Sequence, residues 1–325
     1  MFVKFFKEVW CFRLSNQTPI YGGQALLEGV MFGGKKHTVT AIRRNDDSVD
    51  YYHYEKPVRP ALQKLKKIPF IRGIVAIIES TGVGSRHMQF SGDRYDVTPG
   101  EEVVEEEQSG SKLQMILGVA IVGVLSFLFG KFVFTLVPVF LAQALATWVP
   151  GKTGQILLES GFKLLLLLSY LYIISLTPLI KRVFQYHGAE HKVINCYEAK
   201  LPLTVENVQA QSRLHYRCGS SFILFTVIVG MFVYFFVPTD PFWFRIVNRI
   251  LLIPVVLGIS FEVLQATNAV RNIPVLRFLG YPGLWLQLLT TKEPQDDQVE
   301  VAIASFNKLL EVEQHPEIIP TLHHD

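Results

Sequence analysis

Cysteine is scarce in this chain. Only Cys11, Cys196 and Cys218 occur among 325 residues. Three is an odd number, and the chain shows no secretory signal ahead of them. The opening Met1-Phe2-Val3-Lys4-Phe5-Phe6-Lys7-Glu8-Val9-Trp10 has neither an uninterrupted apolar region nor a small-residue cleavage site. These absences argue against a disulfide framework and for a reduced, cytosol-facing setting, with the first ten residues read either as a short helix at headgroup level or as an amphipathic start packed on protein. Charge is sparse as well: 18% of residues are charged and the formal net charge is +3. That balance diagnoses no partner, and no nucleic acid is expected. The glycine-rich residues 20–34 contain neither G-K-[ST] nor G-x-G-x-x-G, so their spacing is no Walker A or dinucleotide fingerprint.

What is abundant is apolar surface. Half of the residues are hydrophobic, and they concentrate after residue 112, the pattern of a membrane protein. Four stretches, about 113–138, 160–180, 221–238 and 246–265, have the length and composition to cross a bilayer. Lys131 in the first is an intramembrane charge, either functional or snorkelling at a helix end. The connection between the second and third stretches carries Lys181, Arg182, Lys192, Lys200, Arg213 and Arg217. The first loop has mainly Lys152, and the third mainly Arg245 and Arg249 near span ends. The positive-inside bias therefore places the middle connection, residues 181–220, and both termini in the cytosol of a cytoplasmic-membrane protein.

The expected fold is a mainly α-helical polytopic membrane protein with about four transmembrane helices, an N-terminal cytosolic α+β region and a C-terminal amphipathic helix. The divisions are 1–92 for the N-terminal region, 93–112 for an acidic linker, 113–265 for the membrane domain and 266–325 for the C-terminal region. Within the first, His37–Arg44 and Val49–Glu55 alternate around Asn45-Asp46-Asp47-Ser48 and predict a β-hairpin. Residues 20–34 place paired glycines on both sides of an apolar turn. That stretch reads either as a tight loop into a buried segment or as a way to bring Glu28, four residues beyond Gln24, into an active cleft. Residues 69–80 predict a short apolar helix behind a basic flank. Residues 280–294 suit a segment resting at the membrane interface. Val299, Ala302, Ile303, Phe306, Leu309 and Leu310 keep a 3.6-residue period, so this soluble helix covers the cytosolic site or pairs with a second copy of the chain.

The chemistry centres on Tyr186-His187-Gly188-Ala189-Glu190-His191-Lys192, which contains H-x-x-E-H. On a helix His187 and His191 share one face, and Glu190 lies beside them, free to hold a water. This is the inverted order of the zincin motif, in which the histidines bind metal and the glutamate polarises water. Two completions are open. Glu262, acidic inside the fourth apolar stretch, could be the third ligand of an open, hydrolytic zinc site. Alternatively His215 and Cys218, in H-x-x-C spacing, could close the coordination sphere of a structural zinc in a membrane scaffold or partner-binding protein. A mixed form keeps Glu190 as base with Cys218 nearby as a supporting or nucleophilic group. Arg217 or Lys192 could steady an oxyanion. A site at the membrane surface would favour a lipid-linked or membrane-tethered substrate.

Four stretches carry a resemblance: Tyr21–Met31 (YGGQALLEGVM), Tyr186–Glu198 (YHGAEHKVINCYE), Arg217–Phe222 (RCGSSF) and Leu286–Ala302 (LQLLTTKEPQDDQVEVA). The chain resembles the YqhQ-like bacterial membrane proteins from about residue 17 to 310. The resemblance implies a metal-dependent membrane protein of undefined activity. It places His187, His191 and Cys218 at the family's motif positions, with Glu190 between the histidines and with Gln24 and Glu28 in an N-terminal signature. Family members often have proline where this chain has Tyr216, which loosens the expected turn without touching a ligand.

Overall fold

The computed structural model describes residues 21–57, 59–99, 129–130 and 132–314. The N-terminal ten residues, Lys131, most of the first apolar stretch and most of the acidic linker lie outside the described residues.

The N-terminal region is a four-stranded antiparallel meander in sequence order: β1 Gly22–Leu26, β2 Gly29–Gly33, β3 His37–Arg43 and β4 Val49–Glu55. The expected hairpin is β3–β4, with His37 opposite Glu55 and Arg43 opposite Val49. The glycine-rich stretch read as a tight loop is instead a second hairpin, β1–β2, turning at Leu27-Glu28. Alternation along the strands sorts their side chains onto two covered faces. Val30, Phe32, Val39 and Ala41 form one core with residues of two helices, α5 (Pro178–Glu198) and α11 (Asp296–Gln314). Thr38 and Thr40 face the other way, onto His87 of α2 (Ile71–Arg94), where Tyr52 also stacks on Phe90. The sheet is thus the middle of three layers. The amphipathic C-terminal helix spends its apolar face on this sheet.

Short helix α1 (Pro60–Leu65) leads into α2, which is twice the length expected. Beyond the sheet the chain is helical. A π-helical turn at Phe132–Leu136 precedes α3 (Val137–Ala144), followed by α4 (Lys152–Ser175), α5, the one-turn α6 (Val205–Gln209), α7 (Gly219–Tyr234), α8 (Phe242–Leu251) and α9 (Ile253–Ala269). A 3₁₀ turn at Leu276–Gly280 opens α10 (Tyr281–Thr290). Leu167, Leu171, Leu224, Val227 and Leu286 pack α4, α7 and α10 together, and Ile156, Val229, Tyr234 and Val256 form a neighbouring cluster. Gly258 and Gly73 let α9 and α2 meet closely, through Phe70 and Phe261.

Among the described residues one helix, α4, is long and apolar enough by itself to cross a bilayer. The stretch expected as one fourth span is a pair, α8 and α9, bent by 52°. Pro254 in the first turn of α9 accounts for the break, since it lacks the N–H an unbroken helix needs there. The third expected span is α7, 16 residues long. The second ends at Ser175, short of the expected 180, because Pro178 starts α5.

Helix α8 is amphipathic with its polarity inverted. Arg245 and Arg249 are buried, while Trp243, Phe244, Ile250 and Leu251 are exposed. Both guanidiniums converge on Glu159 of α4: Arg249 Nε lies 2.6 Å from Oε1 and Arg245 Nη2 3.0 Å from Oε2. Arg249 also stacks over the Tyr234 ring, 3.7 Å from its centroid.

Candidate metal centre

Thr177, in extended conformation, and Pro178 at the first turn start α5, and the helix runs through the H-x-x-E-H stretch. A four-residue step puts His187 and His191 on one face, with ring centroids 4.5 Å apart. Each ring is fixed from behind by a backbone carbonyl. His187 Nδ1 donates to Thr290 O at 2.8 Å, and His191 Nδ1 donates to Arg213 O at 2.6 Å. A carbonyl can only accept, so Nδ1 carries a proton on both rings and Nε2 is the nitrogen turned to the cluster, the one that a ligating histidine with this tautomer would offer. Cys218 meets them from the N-terminus of α7, where its Sγ accepts from the Ser220 amide at 3.4 Å. Its Sγ is 3.2 Å from His187 Nε2. One ligand atom from each of His187, His191 and Cys218 lies within 4.8 Å of the other two.

The electrostatics suit a cation. Burial opposes a thiolate at Cys218, yet His187 and His191 outweigh it and hold the thiol well below its usual range. Burial likewise opposes charge on His187, but Cys218 and Glu190 raise it to about 9. Burial pushes the Glu190 carboxyl up, against the pull of His191 and His187. Two imidazoles and a thiolate are donors zinc accepts, and their ligand atoms face one another, so the donor set fits that ion.

Glu190 is buried against β1, where the Gly23 backbone helps to hold its carboxyl's pKa down against the burial. An ideal Cβ at Gly23 would stand 2.8 Å from Glu190 Cγ and 2.7 Å from Met31 O. Only glycine lets β1 approach this closely. The same logic holds at Gly188, where a Cβ would fall 2.1 Å from Lys292 O, on the segment that follows α10. A cavity of about 340 Å³ opens over the cluster, walled by Tyr21 to Ala25, the α5 motif, His215 and Arg217 to Ser220.

The predicted site residues divide cleanly. His187, His191, Cys218 and Glu190 come together. His215 reaches the cavity wall, its ring centroid 5.8 Å from that of His191, but it is not among the three clustered ligand atoms. Its backbone is clamped by Gln287, and its buried Nε2 has no hydrogen-bond partner among the described residues. Glu198, 3.8 Å away, attracts it only electrostatically, and burial holds the ring's pKa below normal. Glu262 is held elsewhere: Arg72 Nε donates to it at 2.7 Å and the Phe70 amide at 3.1 Å. An acidic side chain in an apolar helix here has an ion-pair partner rather than a place in the cluster. Glu28 does not line the cavity. It sits in the β1–β2 turn at φ +52° and binds Arg182 through both oxygens at 2.5 Å, with Tyr186 Oη at 3.1 Å. Its four-residue spacing from Gln24 is not helical, because the chain reverses between them. Gln24 does line the cavity. Lys192 is turned away, bonded to Gln209 O and Glu293, whereas Arg217 is at the rim.

Sequence reasoning missed Gly23, the two carbonyls that orient the histidines, and Ser220, whose Oγ is 3.0 Å from Cys218 Sγ. The paired glycines were the available signal for Gly23. His37 and His53 do meet across β3–β4, Nδ1 to Nε2 at 2.9 Å, but as a hydrogen-bonded pair outside any cluster of three ligands among the described residues.

A family model described as "Protein of unknown function (DUF1385)" matches residues 68–312. The chain is 66% identical over 297 residues to "Uncharacterized protein YqhQ" of Bacillus subtilis (strain 168), covering 91% of this chain and 93% of that protein. No solved structure matches.

Proposed function

The chain belongs to the DUF1385 family of proteins of unknown function, and from that premise we propose that it is a zinc-dependent hydrolase embedded in the cytoplasmic membrane, with both termini and the H-x-x-E-H centre on the cytosolic side. The observation that carries the metal reading is the pair of backbone carbonyls, Thr290 O and Arg213 O, which engage both Nδ1 atoms and turn both histidine Nε2 atoms to the cluster with the Cys218 sulfur. His187, His191 and Cys218 would hold the ion. When bound, zinc supplies a Lewis acid and acidifies a water in its open position.

The chain's own residues do the rest. Glu190, packed against Gly23 of β1, receives the water proton and returns it to the leaving group. Arg217 at the rim, with a buried Nε unpartnered among the described residues, meets developing negative charge on the substrate.

Membrane insertion is supported by two features. Only 17% of the most apolar stretch of α4 is buried inside the protein, at a mean hydropathy of 1.7. The inverted α8 presents aromatic and aliphatic side chains outward while hiding its arginines. In water that arrangement is backwards, and in hydrocarbon it is the favourable one. On this reading α4, α7 and the bent α8–α9 pair supply the membrane segments, the substrate is lipid-linked or membrane-tethered, and the C-terminal helix is spent on the sheet, not on a second copy.

One observation favours a second reading. The orphaned Nε2 of His215 in the cavity wall could be recruited as a fourth ligand, making the zinc structural in a non-catalytic membrane scaffold. Elemental analysis of detergent-purified protein separates the two. We expect one zinc per chain, lost in His187→Ala, His191→Ala and Cys218→Ala and kept in His215→Ala and Glu190→Gln. Loss in His215→Ala would establish the structural site, and failure of any metal to co-purify or rebind would end both readings.

A further inference from the structure

The metal cavity continues on its β1 side, along the exposed Gly22 and Gly23, into a neighbouring groove. It shares Tyr21, Gly22, Gly23, Gln24 and Arg217 with a second, larger groove of about 890 Å³. The groove runs between the sheet and α2. Its walls carry Lys35, Lys36, Lys56, Arg59, Lys66 and Arg86 in addition to Arg217, and a single acidic side chain, Glu79. Glu79 neutralises Lys66, and Lys56 is bonded to Gly34 O. Arg86 stands over the Tyr54 ring, 5.0 Å from its centroid. Arg217 is paired with Glu198, and Glu313 accepts from the Lys36 and His37 amides, so the positive excess is carried by Lys35, Lys36, Arg59 and Arg86, in a concave site where low-dielectric walls focus the field. Two of these charges, Arg59 and Arg86, are guanidiniums, whose planar fork matches phosphate oxygens. The lining also includes apolar side chains, Ile78 and Val83 of α2 and Leu264 near the C-terminal end of α9. Ile78 is two-thirds exposed.

We propose that this groove binds the phosphate-bearing headgroup of an anionic membrane lipid and delivers the bond next to it to the metal centre. The proposal deepens the hydrolase reading and rests on it, since the inner rim of the groove is the outer rim of the metal cavity. The basic side chains hold the phosphate. The apolar side chains, Leu264 among them on a helix assigned to the membrane, receive the first part of the acyl chains. A soluble phosphate would need the first feature and have no use for the second.

Native mass spectrometry of the full chain in non-ionic detergent reads lipid adducts and zinc in one spectrum. The probes are phosphatidylglycerol, phosphatidylcholine, sn-glycerol 3-phosphate and a hexaglutamate peptide. Phosphatidylglycerol is expected to bind at least about tenfold more tightly than phosphatidylcholine, a difference that several charge-assisted contacts readily supply. The triple variant Lys35→Gln/Lys36→Gln/Arg59→Gln, all at exposed positions, should lose about that factor while keeping its zinc, and Arg86→Gln separately should weaken binding. Equal binding of the two lipids, or binding untouched in both variants, overturns the proposal. Glycerol 3-phosphate binding as tightly as the lipid overturns the lipid source, and preference for hexaglutamate overturns the phosphate. A spectrum with lipid bound and zinc absent supports the groove and overturns the metal reading alone.

Discussion

His187 Nε2 lies 3.2 Å from Cys218 Sγ, and neither atom could leave that position without breaking a contact made on its far side. The imidazole is tied to Thr290 O, and the thiol caps α7 through the Ser220 amide. The pair is thus set by three helices, α5, α7 and α10, which is the preorganisation the proposed metal site would require.

Gly22 and Gly23 are neighbours with opposite tolerance. Nothing lies within 4 Å of a Cβ built at Gly22, whereas at Gly23 it would collide with Glu190 and Met31 O. Gly23→Ala should lower the thermal midpoint by the equivalent of roughly 1–3 kcal/mol, an overpacking cost, and Gly22→Ala should leave it unchanged. Thermal unfolding in detergent decides. Equal effects would mean that β1 does not press on the Glu190 carboxylate.

Glu262→Gln should keep full zinc occupancy while losing stability of roughly 1–3 kcal/mol, because the Arg72 guanidinium and the Phe70 amide lose a charged acceptor. Elemental analysis beside a melting curve reads both. Zinc lost on this substitution would return Glu262 to the ligand set.

His87 predicts an acid-sensitive fold. Burial, helped by His53 and Lys56, lowers its pKa to about 3, and both ring nitrogens are bonded to Thr38 and Thr40. An unfolded histidine titrates near about 6.5. Between those values the unfolded chain takes up a proton that the folded chain refuses, so stability falls as pH falls through this window. The unfolding temperature should drop on acidification, and His87→Gln should flatten that slope. An unchanged slope would assign the sensitivity to other groups.

Glu159 is the one carboxylate facing two buried guanidiniums among the described residues. Glu159→Leu alone should destabilise by on the order of 3–5 kcal/mol, the cost of stranding buried charge. Glu159→Leu/Arg245→Leu/Arg249→Leu should recover most of it. Thermostability by size-exclusion chromatography would show the order, and a triple variant no better than the single would mean that the cluster is not a closed charge set.

What the sequence made legible was local. The β3–β4 hairpin follows from alternation around Asn45-Asp46-Asp47-Ser48, and the motif helix from its own spacing. Cys218 was readable because its H-x-x-C context is unusual. What could not be read depends on partners distant in the chain. Glu262 looked unpaired because Arg72 lies 190 residues away. Glu28 looked catalytic because nothing local reveals Arg182, 154 residues on. Arg245 and Arg249 looked like span-end charges, since inverted amphipathicity has the same period as the ordinary kind and differs only in which face is covered.

The carbonyl that orients His187 belongs to Thr290, 103 residues downstream, and the clamp on His215 comes from Gln287. During synthesis, then, H-x-x-E-H, Arg213 and Cys218 all precede the backbone that orients His187. A nascent chain ending ahead of Thr290 has the donor atoms without the full geometry, so on the proposed metal reading loading would follow the docking of α10. The centre would then work as a folding mark, able to hold an ion only once α5, α7 and α10 have come together.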